Sequence, residues 1–445
     1  MFNTKTLFIL GAGASAPYGY PIGKRLIYNI IEDMEDYIFI PKYQSKKPTP
    51  YWNDNDKKRN VLYDFSLCIE ELEQIAVYAD KSEQGHYEQC SDDGLFRIYY
   101  ISKSNPANYA HKFFFKTKIS QVDIFAELKN ALEILDPVSI DAFLRDNPSY
   151  ALAGKMMILY SLLKRENPLK FNINQSEDNW YSLLLNDLVS ECADSPEKLS
   201  ENKVKFITFN YDVSLDYFLH SRLKKIENFV KRDDKSDSPA DSFLNELDIE
   251  HVYGQLYSLI NSDQYGKYID ISEDNKLPNI QISWAGGTTQ QSSSPSLTSL
   301  KLIQNFKRFI FSFEQYNNIK TMYDERNNPT ERDQIIAKHK EAIQWAEEII
   351  FIGFGFDRDN LNMLGIPDIL SEYTQMLPGK TIRYLNYKGM MTSLSFEFEN
   401  IQNERNAALN SNSRKDKSKT INIIQSTADN ISCAYQNDFK KFLFK

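Results

Sequence analysis

The chain has 445 residues, 42% of them hydrophobic and 25% charged, which is an ordinary globular composition and enough length for about two or three units with buried cores. Lys+Arg 52 against Asp+Glu 61 leaves a net charge of −9, which excludes a general nucleic-acid coat and makes direct nucleic-acid binding unexpected outside a local basic patch. The four cysteines (Cys68, Cys90, Cys192, Cys433) form no CxxC pair, which argues against a zinc ribbon or a disulfide scaffold and fits a reducing cytoplasm.

Along the chain, Thr6–Leu10 (TLFIL) reads as a short buried strand. It is too short for the apolar core of a signal peptide, and no stretch approaches the length of a membrane helix, so a soluble cytoplasmic protein is expected. The strand runs into Gly11-Ala12-Gly13-Ala14-Ser15, and a helix is expected from about Ile22, with Ile22, Leu26, Ile30 and Met34 at helical spacing. Residues 41–60 read as a charged, proline-bearing loop. From about 61 to 200 the pattern reads as mainly helical. Val122, Phe125, Leu128, Leu132 and Leu135 line one face before the Asp136-Pro137 stop. Met156 to Leu163 and Trp180 to Leu188 supply two further helices.

Strand patterns return at Val204–Phe209, with a helix expected from Asp212, and at Ile249–Tyr253. Residues 231–242, 287–298 and 409–419 read as polar loops. A long helical stretch spans about 299 to 347. Further strands are expected at Ile349–Ile352, Thr381–Tyr387 and Thr420–Ile424, before a last helix ending near Phe444. Short strands alternating with helices predict an α/β fold: a Rossmann-like parallel sheet with helices on both faces and a large, mainly helical insertion over about 40–200. In such sheets ligands sit at the carboxyl ends of the strands, and the informative residues do follow strands.

Gly11-Ala12-Gly13-Ala14-Ser15-Ala16 fits the relaxed dinucleotide pattern, in which small residues let the backbone approach a pyrophosphate at a helix start. The acidic strand end that a dehydrogenase needs about 20 residues later is missing, since Glu32 and Asp33 fall in a helical pattern. The alternative is a glycine turn without ligand. Asn210 and Asp212, after strand 204–209, can hold ribose hydroxyls or a water; alternatively, Asp212 simply caps the next helix. His251, in His251-Val252-Tyr253-Gly254, can serve as a general base, although a lone histidine is more often structural. Gly353 and Gly355 form a glycine turn after the strand 349–352, with a plain tight αβ turn as the alternative, and Asn386 ends the next strand, where it can be placed against a nucleoside. No spacing of His, Cys, Asp or Glu suggests a metal.

Taken in order, these motifs resemble the sirtuin-like (SIR2-like) family, most closely its bacterial anti-phage defence branch. FILGAGASAPYGYP is similar to the family's loop, covering Gly11, Ala12, Gly13, Ser15, Gly19 and Pro21; FNYD and HVYG resemble its asparagine–aspartate and histidine–glycine motifs. Ser139 to Leu144 (SIDAFL) and IFIGFGFDRDNL resemble elements of the same branch. Two departures argue against protein deacetylation: Pro21 is followed by Ile22-Gly23-Lys24-Arg25 instead of an acidic–aromatic–arginine run, and the four-cysteine zinc module is missing.

The resemblance implies one NAD-binding domain over 1–445. It further implies an NAD+ hydrolase that cleaves the nicotinamide–ribose bond, gives nicotinamide and ADP-ribose, and defends the cell by NAD depletion. Gly11, Gly13 and Ser15 would bind the pyrophosphate, Gly353 and Asn386 would lie toward the adenosine half, and Ala12, Pro21 and Gly355 would also contact the cofactor. Asn210 would hold ribose and water, Asp212 would orient the ribose, and His251 would take a proton. Control would come from homo-oligomerisation or a partner such as a HerA-type helicase ATPase, a short Argonaute or a phage component. The alternatives are a catalytically silent nucleotide-binding subunit or sensor, and a sirtuin-like ADP-ribosyl or deacyl transferase.

Overall fold

The computed structural model describes residues 1–34, 83–89, 95–102, 109–116, 120–171, 178–192, 195–226, 229, 238–257, 265–266, 308, 311–312, 315–321, 324, 329–356, 358–366, 380–385, 422–426 and 428–439. The strands, in chain order, are β1 (Thr6–Leu10), β2 (Glu83–Gln89), β3 (Leu95–Ser102), β4 (Tyr109–Lys116), β5 (Val204–Thr208), β6 (Ile249–His251), β7 (Glu348–Ile352), β8 (Thr381–Leu385) and β9 (Asn422–Ser426). The fold is α/β. Six strands form one sheet in the order β6-β5-β1-β7-β8-β9, and every pairing in it is parallel.

These six strands are the ones expected from the sequence. Counted by their place along the chain, they lie in the order 3-2-1-4-5-6. The chain thus builds outward from β1 in one direction and then returns to build outward in the other. β1 and β7 flank that reversal.

β1 is buried at every residue, so both sheet faces are covered at its centre. Phe8 stacks on Phe206 of β5 at 5.2 Å and lies 6.4 Å from Tyr435, which brings the helical turns of 431–439 to that face. The neighbouring residue of β5, Lys205, points the other way and sits 5.3 Å over the ring of Trp345 in the helix Pro329–Trp345. Alternation along one strand therefore places helices on opposite faces.

The chain divides into two compact units: 1–23, 165–267 and 317–445 form the first, and 24–164 with 268–316 the second. The first holds the parallel sheet. The second contains the helix Ala151–Leu163, which is apolar around its circumference and buried from Ala153 to Leu163, as a central core helix must be. Its Gly154 leaves the space that Leu144 of the helix Ile140–Asp146 fills. Ser161 donates to Asp33 at 2.7 Å and Lys164 pairs with the same carboxylate at 2.9 Å.

Three readings of the sequence need correction. The region taken as mainly helical carries the antiparallel sheet β2-β3-β4. The supposed loop 231–242 ends early, because Ser238 caps a helix, Pro239–Glu246, by accepting from the Asp241 N–H at 3.1 Å, with Pro239 in the first turn. The first helix, Lys24–Asp33, buries Ile27 and Ile30, while Ile22 remains 42% exposed. Residues 41–60, 287–298, 409–419 and the C-terminal end of the last helix lie outside the described residues. Among the described residues, no helix is long and apolar enough to cross a membrane.

The turns after β1 and β7 touch backbone to backbone. The Gly11 N–H donates to the Ile352 carbonyl and the Gly13 N–H to the Gly353 carbonyl, each at 3.0 Å. A Cβ on Gly353 would lie 2.1 Å from the Ala14 nitrogen, and its φ of 60° is left-handed; a Cβ on Gly355 meets nothing within 4 Å. Gly353→Ala is therefore expected to destabilise by more than the order of 1–3 kcal/mol that a strained left-handed residue alone costs. Gly355→Ala should stay within about 0.5 kcal/mol. Urea unfolding of the two variants side by side checks both.

Candidate active site

The parallel registers pair Leu10 with Thr208 and with Ile352, and Thr208 with His251. The residues that follow β1, β5 and β7 therefore emerge at one edge of the sheet, with His251 level with them. Short 3-10 turns at Ala12–Ala14 and Ala16–Tyr18 fold the chain back after β1 and bury Ser15 between them. The indole of Trp180 secures the first turn by donating to the Ala14 carbonyl at 2.8 Å. Tyr18 secures the second: its ring stacks on Tyr181 at 4.0 Å and its hydroxyl accepts from the Tyr181 N–H.

Four of the expected residues meet through side chains or one bond away. Ser15 Oγ donates to Asp212 Oδ2 at 2.7 Å, and Asn210 Nδ2 donates to Ser15 Oγ at 3.2 Å. The other Asp212 oxygen accepts from the Ser214 N–H at 3.1 Å and from the Ser214 hydroxyl, at the start of the helix Ser214–Leu223. The helix-capping role of Asp212 is thus real, and one carboxylate does both jobs. His251 Nδ1 faces the Asn210 carbonyl at 3.3 Å, and Nε2 faces Asp216 Oδ1 at 3.3 Å.

Gly11, Gly13 and Gly353 meet one another as described above. Ala12 is exposed, and its carbonyl lies 3.3 Å from Ser15 Oγ. Pro21 is buried at the loop's end, and Gly355 is exposed. Gly254 of the HVYG motif permits a close backbone approach, its φ being 74° and a Cβ there falling 2.0 Å from the Asn318 carbonyl oxygen. Asn386 lies outside the described residues.

One polar atom in this cluster is left over. Asn210 is 7% exposed, and among the described residues nothing donates to its Oδ1. Leaving a buried acceptor unpaired costs about 1–3 kcal/mol, which a ligand hydroxyl or a water recovers. Burial pushes the Asp212 carboxyl up, against the opposing bonds from Ser214 and Ser15 and the nearby His251. Burial also opposes the charged form of the His251 ring, but Asp216, the hydrogen bonds and Asp212 outweigh it and raise His251 above its ordinary value. Among the described residues, no group of three His, Cys, Asp or Glu side chains is placed to hold a metal ion.

Two acidic residues join the site that the sequence motifs did not single out. Asp216 stands one helical turn beyond Asp212, a spacing visible in the sequence but without meaning until His251 is placed beside it. Glu166, fully buried, accepts from the Tyr257 hydroxyl at 2.9 Å and the Gly266 N–H at 3.1 Å. Burial pushes its carboxyl from 4.5 to about 8, against the two hydrogen bonds, and the Asp212 charge adds to the rise. The folded protein then holds a proton there that the unfolded chain has released, so this carboxyl's stabilising contribution is complete below about 4.5 and is lost as pH rises through about 8. Between about pH 5 and pH 9 the melting temperature is expected to fall less in Glu166→Gln than in the parent, which thermal scans across that range check.

No protein-family model matches the chain, and no curated protein matches it either.

Proposed function

We propose that the protein is a cytoplasmic NAD+ hydrolase that cleaves the nicotinamide–ribose bond and acts by NAD depletion in anti-phage defence. The observation that carries this reading is the buried Asn210 Oδ1, which has no donor among the described residues, on a residue whose Nδ2 bonds Ser15 and whose backbone carbonyl faces His251 at the carboxyl edge of a parallel sheet. A ribose hydroxyl or the attacking water supplies the missing donor. The strand order 3-2-1-4-5-6 supports a Rossmann-like sheet with the dinucleotide across the β1/β7 reversal, and the segment between β1 and β5 as an insertion.

The reaction takes NAD+ and water to nicotinamide, ADP-ribose and a proton. The C1′–N bond breaks, its electron pair neutralises the pyridinium, and the water oxygen bonds C1′. Asn210 holds the ribose and water; Asp212, braced by Ser15 and Ser214, lends negative charge to the oxocarbenium-like transition state. His251 takes the proton. Gly11, Gly13 and Gly353 keep their turns close enough to shape the crevice, and Ala12 and Gly355 lie exposed on those turns for a phosphate or nucleoside to approach. Assembly with further copies or a partner restrains the activity, since unrestrained NAD cleavage would poison the cell.

A silent nucleotide-binding subunit is the second reading, favoured by one observation: both ring nitrogens of His251 face protein acceptors. The deciding experiment follows nicotinamide and ADP-ribose released from NAD+ by the purified protein, alone and with candidate partners, without any acyl acceptor. Cleavage is expected. Asn210→Ala and His251→Ala should each lose it, the latter by roughly 10²–10⁴-fold, the usual worth of a positioned base. Parental rates in both variants would overturn the assignments. NAD+ binding by calorimetry with no cleavage in any assembly state selects the silent reading.

A further inference from the structure

A histidine that is to accept a proton needs one ring nitrogen with a free lone pair. His251 has neither nitrogen so placed. Nδ1 faces a backbone carbonyl, which can only accept, and Nε2 faces a carboxylate, which also accepts. The one protonation state that satisfies both contacts is the imidazolium, donating through each nitrogen.

The two partners differ in kind. The Asn210 carbonyl belongs to the buried turn after β5, which the Phe209 N–H ties to β1 through the Leu10 carbonyl. Asp216 reaches His251 from the helix Ser214–Leu223 through a side chain that is 19% exposed, against 7% for the His251 ring. The Nδ1 contact orients the ring, and the Nε2 contact is the one that a side-chain rotation can release. Among the described residues, no other charge matches Asp216 here: Asp212 acts on the ring at longer range, and the neighbouring Glu250 is paired with Lys338.

We infer that Asp216 is a positioning residue that holds His251 as its imidazolium through Nε2, and so sets the pH above which the site has a base. The role of that base rests on the hydrolase reading proposed above; the pairing itself does not. Once Nε2 loses its proton to solvent, the ring keeps its Nδ1–H on the Asn210 carbonyl and presents an Nε2 lone pair, which then takes the proton released by the attacking water. The arrangement resembles an orienting acceptor and a working nitrogen on opposite sides of one ring, with a carboxylate standing at the working side.

The test separates the pairing from the activity. The protein has five histidines, so ring Cε1–H signals of specifically labelled protein can be assigned by the loss of one in His251→Ala. In Asp216→Asn the His251 titration should move to lower pH, and in Asp216→Glu it should stay near the parental position. The rising limb of the pH profile for NAD+ cleavage should move down in Asp216→Asn with the titration. A merely structural role would lower the rate at every pH without moving the limb. An unmoved His251 titration in folded Asp216→Asn, verified by circular dichroism, overturns the inference whatever the activity. A moved titration in a protein that cleaves no NAD+ in any assembly state upholds the pairing and overturns the hydrolase reading.

Discussion

The distance between the turns that leave β1 and β7 is set by backbone lying on backbone. Gly11 extends the β1–β7 ladder by one hydrogen bond, Gly13 adds another to Gly353, and none of the three positions has space for a side chain. Such an approach is open only to glycine. It fixes where Ala12–Ala14 curls back, and hence where Ser15 stands. Ser15 in turn bridges to Asp212 and Asn210, which emerge from the neighbouring strand β5. The convergence at the sheet edge therefore rests on three missing side chains. These glycines have a structural purpose that is complete without any ligand, and Ala12 and Gly355 beside them are exposed.

The parallel sheet was legible because its strands are continuous apolar runs, such as Thr6–Leu10 and Ile349–Ile352, which buried parallel strands require. The antiparallel strands were not. β3 (LFRIYYIS) and β4 (YAHKFFFK) carry the aromatic and β-branched residues of strands, but lysine, arginine and histidine interrupt the apolar pattern; β2 (EQGHYEQ) has almost no strand preference, and its pairing comes from its neighbour. The helix at 239–246 was hidden for a different reason. Its surroundings are polar enough to read as a loop, and its own start signal, Ser238 before Pro239, was outweighed by composition.

The site divides in the same way. Ser15, Asn210, Asp212 and His251 follow strands at recognisable motifs, so the sequence could nominate them. Asp216 and Glu166 acquire meaning only through long-range contacts. The partner of Asp216 is 35 residues away and that of Glu166 is 91 residues away, across segments with no local signal of the encounter. An acidic residue in the first turn of a helix is ordinary in itself, and its chemistry depends on what the next strand delivers to it.

The charges of the assembled site lean one way. Asp212 is buried, Asp216 stands beside the histidine, and both carboxylates act on the His251 imidazole, whereas Glu166 holds its proton and adds no charge. Burial makes a carboxylate costly unless something positive approaches it, so such a site gains most from a ligand whose positive charge arrives where the acid is. On the hydrolase reading, the charge of NAD+ starts on the pyridinium ring and moves onto the ribose as the glycosidic bond stretches. An acid at the ribose then stabilises the transition state more than the bound substrate, which is the difference that accelerates a reaction. An imidazolium at the same place works against that gain, because it brings a second positive charge to the developing cation. Loss of the Nε2 proton removes this repulsion and creates the base in one step. A carboxylate facing that nitrogen thus governs two quantities at once, the availability of a base and the sign of the field at the ribose.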